Sequence, residues 1–246
     1  MNNIIAVYIK QIQSLVKNPV MLVQAVLFLG LVFVITLLIG VDEEIDCDAC
    51  IPAYVCAVCT EENTLDTPDP SMAALFTVMF VGLTLMGTAS SLVTEDKTTN
   101  NLRFMTMAKV KPFQYLLGTG AALFSFVFII IILFATVGGY FEYMLWFIAV
   151  TSFGALVSIL LGTAIGLSKM PILAMPVSLV LGMGPMLSAF NETLANALRF
   201  TYTQQINLAL SNVEYDMSSN FIVIGINGLV VLAFFIWMHR KGEMRW

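Results

Sequence analysis

Charged side chains are scarce in this chain of 246 residues. They make up 11% of the sequence, whereas hydrophobic residues make up 59%. Soluble domains usually contain about 25% charged and about 45–50% apolar residues. A soluble core of this size could not bury so much apolar surface, so the composition excludes a water-soluble globular domain. It predicts an integral membrane protein.

Motifs of nucleotide, metal and hydrolase sites are also missing. The chain has no G-x-x-x-x-G-K-S/T phosphate loop, no H-E-x-x-H zinc motif and no G-x-S-x-G nucleophile elbow, and His239 is its single histidine. We therefore expect no catalytic activity and no cofactor or metal site in this chain. Charge is almost absent from its long apolar runs, which argues against a proton-driven carrier or a channel with charged rings.

Six uncharged runs are long enough to cross the hydrocarbon of a bilayer, which needs about 20 helical residues. They are 20–41, 71–93, 113–138, 144–167, 171–190 and 219–238. Backbone groups in lipid must be hydrogen-bonded within the protein, and these runs lack the alternation of barrel strands, so we predict helices. The predicted fold is all-α, with one transmembrane domain of six helices over 1–246.

Lysine and arginine are distributed unevenly under this topology. Ten of the eleven fall on one side, and only Arg199 falls on the other. Because basic residues are retained in the cytoplasm, we predict that this side, with both termini, is cytoplasmic. We expect the chain to lie in the cell membrane as a multi-pass protein.

The segment 1–19 precedes the first span. It lacks the compact apolar core of a signal peptide, so we expect the chain to keep its N-terminus. Its apolar residues recur at helical spacing: Ile5, Tyr8, Ile12, Leu15 and Val16. This pattern predicts an interfacial helix that lies flat on the cytoplasmic membrane surface, with Lys10 and Lys17 near anionic headgroups. A cytoplasmic extension of the first span is the alternative.

The connection 42–70 is acidic and contains all four cysteines, in the pattern C-x2-C-x5-C-x2-C. They are Cys47, Cys50, Cys56 and Cys59. On the extracytoplasmic side, clustered cysteines most simply form two disulfides that hold a small cap together. A zinc site and a redox-active pair are alternatives, and the latter motivates a competing function, a membrane thiol oxidoreductase. Neither pair is flanked by a basic residue that would activate a thiol.

The cytoplasmic connection 94–112 leads into the third span. From Glu95 onward the sequence is E-D-K-T-T-N-N-L-R-F-M-T-M-A-K-V-K-P-F-Q-Y-L-L-G. It resembles the signature of the ABC-2 family of transporter permeases, in which an acidic start precedes a short apolar helix, a turn and an aromatic-Leu-Leu-Gly opening. The matching residues are Leu102, Met105, Val110, Phe113, Leu116, Leu117 and Gly118. Three positions depart from the family pattern. Asn100 stands where the family usually has Gly, Lys109 stands where it often has Pro, and Thr119 stands where it often has a basic residue.

The resemblance implies the transmembrane subunit of an ATP-driven exporter that moves an amphipathic or hydrophobic cargo, such as a drug, lipid or antimicrobial peptide. In that family the cytoplasmic helix couples to a separate ATPase subunit, present in two copies, which binds ATP and Mg²⁺, and a second permease completes a homo- or heterodimer. The expected coupling residues are Glu95, Lys97, Leu102, Arg103, Phe104 and Met105. A solvated loop that only fixes the topology is the alternative.

The family resemblance also implies short re-entrant helices after the fifth span, which help to close the exit. We assign this role to 184–218. The expected gate residues are Gly184, Pro185, Phe190, Glu192 and Arg199. A simple kink at the Gly-Met-Gly-Pro sequence that begins at Gly182 is the alternative. Glu192 and Arg199 lie seven residues apart, on one helical face, and a structural tether is the simpler role for them.

Overall fold

The computed structural model describes residues 2–17, 19–39, 70–141, 143–168, 170–188, 192–211 and 217–240. Every regular element in these ranges is helical, so the predicted all-α class is confirmed for them. The four cysteines of the predicted cap and Phe190 lie outside the described residues. The expected disulfides therefore stay a prediction.

Eleven α-helices follow one another in the described ranges. They are α1 (Asn2–Lys17), α2 (Pro19–Ile39), α3 (Pro70–Met79), α4 (Met86–Thr98), α5 (Asn101–Met107), α6 (Pro112–Val137), α7 (Met144–Leu167), α8 (Ala174–Ser188), α9 (Glu192–Leu198), α10 (Tyr202–Ser211) and α11 (Met217–Arg240). A π-helical turn, Phe80–Leu85, joins α3 to α4, and a 3-10 turn, Pro171–Leu173, leads into α8.

Four helical segments in the described ranges are long and apolar enough to cross a membrane. They are Ala73–Thr98, Pro112–Val137, Met144–Leu167 and Pro171–Ser188. The bent pair formed by α1 and α2 makes a fifth if it counts as one span. These helices are those of a membrane protein. The prediction of six spans stays a prediction, because the apolar stretch in α11, Ile222–Phe234, is shorter.

Glycines allow the helices around α4 to approach each other closely. A Cβ atom at Gly166 of α7 would lie 2.8 Å from the backbone oxygen of Ser90. A Cβ atom at Gly82, in the π-helical turn, would lie 2.8 Å from Cα of Gly182 in α8. Small residues at such crossings are typical of helix packing in membranes. They bring α7 and α8 against the rod formed by α3, the π-helical turn and α4.

Phe80, in the π-helical turn, packs between α2 and α6. It is fully buried, and its ring lies 6.3 Å from that of Phe28 in α2 and 5.6 Å from that of Phe134 in α6. Such edge-to-face and tilted pairs are favourable beyond the area they bury. Phe80 thereby fixes α2 and α6 to the rod.

The α8 helix continues through Gly184 and Pro185 to Ser188. Proline removes one backbone donor, so the carbonyl of Leu181 lacks its bond from residue 185. After Ser188 the chain folds back, so that α9 lies against the end of α8. A Cβ atom at Gly184 would lie 3.0 Å from the Leu198 side chain of α9. Whether 184–218 re-enters the membrane stays a prediction.

Candidate functional site

A buried carboxylate at the end of α4 joins four helices. Asp96 is 6% exposed. Lys10 Nζ and Gln11 Nε2 of α1 each donate a hydrogen bond to its oxygens at 2.7 Å. The Tyr115 hydroxyl of α6 donates at 2.8 Å, and Asn101 Nδ2 of α5 donates at 3.1 Å. A carboxylate offers about four acceptor positions, so these donors satisfy it. We call these five residues the Asp96 junction.

The packing of α1 on α6 brings the junction together. Val7, Gln11 and Leu15 lie four residues apart on one face of α1, and all three are buried. A Cβ atom at Gly118 of α6 would lie 2.9 Å from Cβ of Val7, so glycine permits this close approach. Tyr115, one turn earlier on α6, then reaches the carboxylate. Gln11, which is not part of the apolar pattern of 1–19, therefore belongs to the packed face of α1.

An ion pair lies at the edge of the junction. Lys10 Nζ is 2.7 Å from Asp96 Oδ1, with the lysine side chain 40% and the aspartate side chain 8% exposed. Hydrogen bonds with charged partners are about twice as strong as neutral ones. Because the Lys10 side chain is partly exposed, its bond to Asp96 contributes about 1.5–3 kcal/mol, the usual range for a hydrogen bond to a charged group. The helices that meet at Asp96 therefore resist separation.

The next residue, Lys97, binds the opposite side of α4. Its Nζ donates to the backbone oxygens of Ser168 at 2.9 Å and Leu167 at 3.3 Å. These carbonyls end α7, where a helix has unsatisfied acceptors and its dipole favours a cation. We had expected Lys97 among the ATPase-coupling residues. The structure places its ammonium group on α7, so Asp96 and Lys97 together fix the end of α4 on both sides.

The short helix α5 has two different faces. Leu102 is 6% exposed and packs against α1 and α6, and Met105 is partly buried in the same cluster. Phe104 is 65% and Met107 is 63% exposed. The apolar coupling residues are thus divided: Leu102 and Met105 hold α5 to the protein, whereas Phe104 and Met107 point outward.

Basic side chains accompany the exposed residues of α5. Arg103, Lys109 and Lys111 are all exposed. We call these three, with Phe104 and Met107, the α5 surface. Glu95 is also exposed, on the last turns of α4. The α5 surface therefore combines an apolar centre with positive charge.

Left-handed residues fix the turns at both ends of α5. Asn100 has φ 59° and Lys109 has φ 58°. The N–H group of Val110 donates to the Met105 oxygen at 3.0 Å, which is the bond of a Schellman motif with Lys109 in the position usually taken by glycine. Asn100 stands where the family pattern has Gly, and asparagine is among the residues that tolerate this conformation. Both departures from the family pattern are thus compatible with a tightly held helix.

A cavity of about 590 Å³ lies between α4 and α8, with Gln24 of α2 at its edge. None of the described residues that line it is charged. Six of them carry hydroxyl groups: Thr84, Thr88, Ser90, Ser91, Thr94 and Ser178. Apolar side chains, including Leu83, Ile172 and Met175, line the rest. We call this cavity the hydroxyl groove.

Several hydroxyl groups of the groove already donate their proton. Thr88 and Thr94 donate to carbonyl oxygens one turn earlier, at 2.7 and 2.8 Å, and Ser178 does the same at 2.9 Å. Their oxygens can still accept hydrogen bonds. Thr84 Oγ1 is buried and has no hydrogen-bond partner among the described residues. The groove therefore suits an uncharged ligand that has an apolar part and hydrogen-bond donors.

The expected gate residues are spread along the segment after α8 begins. Gly184 and Pro185 lie within α8, Glu192 begins α9, and Arg199 is exposed in the turn that follows α9. The backbone oxygen of Arg199 accepts a hydrogen bond from Gln205. The Glu192 side chain lies outside the part that the structure describes, so its pairing with Arg199 stays a prediction.

Polar side chains of α10 are buried at contacts that the sequence did not reveal. The hydroxyls of Tyr202 and Ser158 of α7 lie 2.7 Å apart, and Ser188 Oγ lies 2.9 Å from Gln204 Oε1. These bonds fix α10 to α7 and α8.

The resemblance to ABC-2 permeases rests on the segment that contains α5 and on the arrangement of the predicted spans. Within the described ranges, no three His, Cys, Asp or Glu side chains come together as a metal site would require. No protein-family model, no curated protein and no solved structure matches this chain.

Proposed function

We propose that this chain is the transmembrane subunit of an ABC-2 type exporter. In this proposal it has six spans, lies in the cell membrane with both termini in the cytoplasm, and pairs with a second permease. Two copies of a separate ATPase bind ATP and Mg²⁺. The observation that carries the proposal is α5, a short helix that turns Phe104 and Met107 outward while its other face is bonded to the helices behind it.

The α5 surface has the composition of a docking site. Aromatic residues, Met and Arg are enriched at protein interfaces, and a polar rim surrounds an apolar centre. Phe104 and Met107 supply the centre, and Arg103, Lys109 and Lys111 supply the rim. We expect the ATPase to offer an apolar cleft with acidic edges. Closure of two ATPase subunits would then push α5 toward its counterpart and move the spans.

The hydroxyl groove is the path for cargo in this proposal. Its volume falls within the range of about 300–1,000 Å³ that is typical of small-molecule sites. The lining residues that the structure describes are uncharged, which disfavours a strongly charged cargo because a bare charge is costly to bury. We therefore expect an amphipathic or hydrophobic cargo whose polar groups are uncharged donors.

Copurification from membranes of the native host tests the proposal. We expect an ATP-hydrolysing chain to accompany the protein in mild detergent at a ratio of one to one. Phe104→Asp removes an exposed apolar contact without disturbing a buried one, so the variant is expected to fold and to lose the ATPase. Changes at Leu102 or Met105 are less suitable because those residues pack inside.

Phe141→Asp is the matched control. Phe141 is as exposed as Phe104, at 71%, and follows α6 at the opposite membrane surface in the predicted topology. This variant should retain the ATPase. A wild-type protein that purifies without any ATP-hydrolysing chain would refute the proposed function, and equal loss in both variants would refute the role of the α5 surface.

A further inference from the structure

The Asp96 junction connects elements that are far apart in the sequence. Lys10 and Asp96 are separated by 86 positions, and Tyr115 follows Asp96 by 19. One carboxylate therefore holds α1, α5 and the first turns of α6 to the end of α4. Aside from this junction, α1 is attached to the neighbouring helices by apolar contacts of Val7, Tyr8, Ile12 and Leu15.

Separating these helices would expose Asp96 or leave it without donors. The four bonds share one acceptor, so a displacement of α5 relative to α1 stretches bonds on both sides of the carboxylate. A buried, half-satisfied polar network is less favourable than one that is fully satisfied. The favourable response is for the connected helices to move together. The bonds from Lys97 to the end of α7 extend this connection to a further helix.

We propose that Asp96 is the positioning residue that makes α1, α5 and the start of α6 move as one unit. Asp96 is buried and does not belong to the α5 surface. Through Asn101 it sets the position of α5, and through Lys10 and Gln11 it passes displacement of α5 to the N-terminal helix. The consequence for transport rests on the proposed function, whereas the mechanical connection does not.

Hydrogen exchange of the purified full chain tests the connection directly. Lys10→Met removes the charged donor, and we expect the backbone amides of α1 to exchange about 10- to 100-fold faster, since a hydrogen bond with a charged group stabilises by an amount of that order. Lys17→Met is the control, because Lys17 is an exposed lysine on the same helix. It should leave the exchange of α1 within about twofold of wild type. Equal exchange in the two variants would overturn the proposal.

A second pair of variants removes only one hydroxyl group each. Tyr115→Phe deletes one donor of the junction, and Tyr202→Phe deletes an equally buried hydroxyl that bonds to Ser158 instead. We expect Tyr115→Phe to increase exchange in both α1 and α5, and Tyr202→Phe to increase it only near α10. A change confined to α6 in Tyr115→Phe would contradict the connection. This pair remains informative if Lys10→Met folds poorly.

The same variants report on coupling if an ATPase accompanies the chain. In reconstituted complexes, Tyr115→Phe should leave ATP hydrolysis near wild type and reduce the cargo moved per ATP several-fold, a split that a general loss of folded protein would not produce. Equal reductions of hydrolysis and transport would refute the positioning role. Absence of an ATPase would refute the proposed function but would leave the exchange results on α1 and α5 to decide the mechanical connection.

Discussion

Replacing Gly82 by alanine tests the crossing of α8 over the π-helical turn. The new Cβ atom would lie 2.8 Å from Gly182 Cα and 2.9 Å from Gly182 N. These are backbone atoms, so no side-chain rotation can relieve the contact. Adding atoms to a packed core costs about 1–3 kcal/mol, and alanine regains about 0.8–1.0 kcal/mol of helix propensity over glycine. We expect a net loss near the upper part of that difference, about 1–2 kcal/mol.

Gly87→Ala is the matched control on the same rod, because nothing lies within 4 Å of a Cβ atom there. The helix propensity then acts alone and predicts a gain of up to about 1 kcal/mol. In thermal unfolding of the detergent-solubilised protein, Gly82→Ala should lower Tm by about 2–8 °C, and Gly87→Ala should raise it by about 2–4 °C. Shifts of the same sign in both variants would refute the proposed backbone contact between Gly82 and Gly182.

Three further predictions use simple substitutions. Lys109→Gly should raise Tm by about 1–4 °C, because glycine adopts the left-handed conformation without the cost that lysine bears; a lower Tm would contradict the Schellman turn. Thr84→Val removes a buried hydroxyl that has no hydrogen-bond partner among the described residues, and it should stabilise the chain by about 1 kcal/mol, whereas Thr88→Val should not, as urea titrations would measure. Serine at all four cysteine positions should preserve ATP-driven transport; loss of thiol oxidation with no ATP-dependent activity in the wild type would favour the oxidoreductase.

The long helices were predictable from the sequence because lipid imposes a simple rule on it. A run of about 20 uncharged residues can bury its backbone polar groups only as a helix. The predicted runs 113–138 and 144–167 accordingly correspond to helices Pro112–Val137 and Met144–Leu167. The sequence also marks where α6 begins, at Pro112. Proline has no backbone N–H group, and in the first turn of a helix that group would have no partner within the helix.

The Asp96 junction was not predictable, because it depends on contacts between distant segments. In α1 the polar residue Gln11 is buried, whereas the apolar residues Ile5 and Ile9 are exposed. The period of the sequence predicted α1 as a helix with an apolar face toward the membrane surface, and it did not predict that Val7 and Gln11 are buried within the protein. One signal was present: Val7, Gln11 and Leu15 share a face, and a polar residue between two buried apolar ones indicates a specific partner.

The division of α5 into two faces was similarly hidden. Leu102 and Phe104 are both apolar and lie two residues apart, which places them on different sides of a helix, yet the sequence alone does not show which side faces the protein. The close approach of α1 to Gly118 determines which side of α5 faces the protein. It places Val7 beside Tyr115, and Leu102 packs against these two residues. The hydroxyl groove likewise appears only when α8 is placed opposite the threonines of α4.

Site-specific photo-crosslinking from position 104 in intact native cells tests the central claim most directly. A benzophenone side chain in place of Phe104 would lie on the α5 surface, and mass spectrometry would identify the captured chain. We predict a crosslink to a separate protein that carries a phosphate-loop sequence, and no such crosslink from the same side chain at position 141. Failure to capture an ATPase from position 104, or capture of the same chain from both positions, would contradict the account.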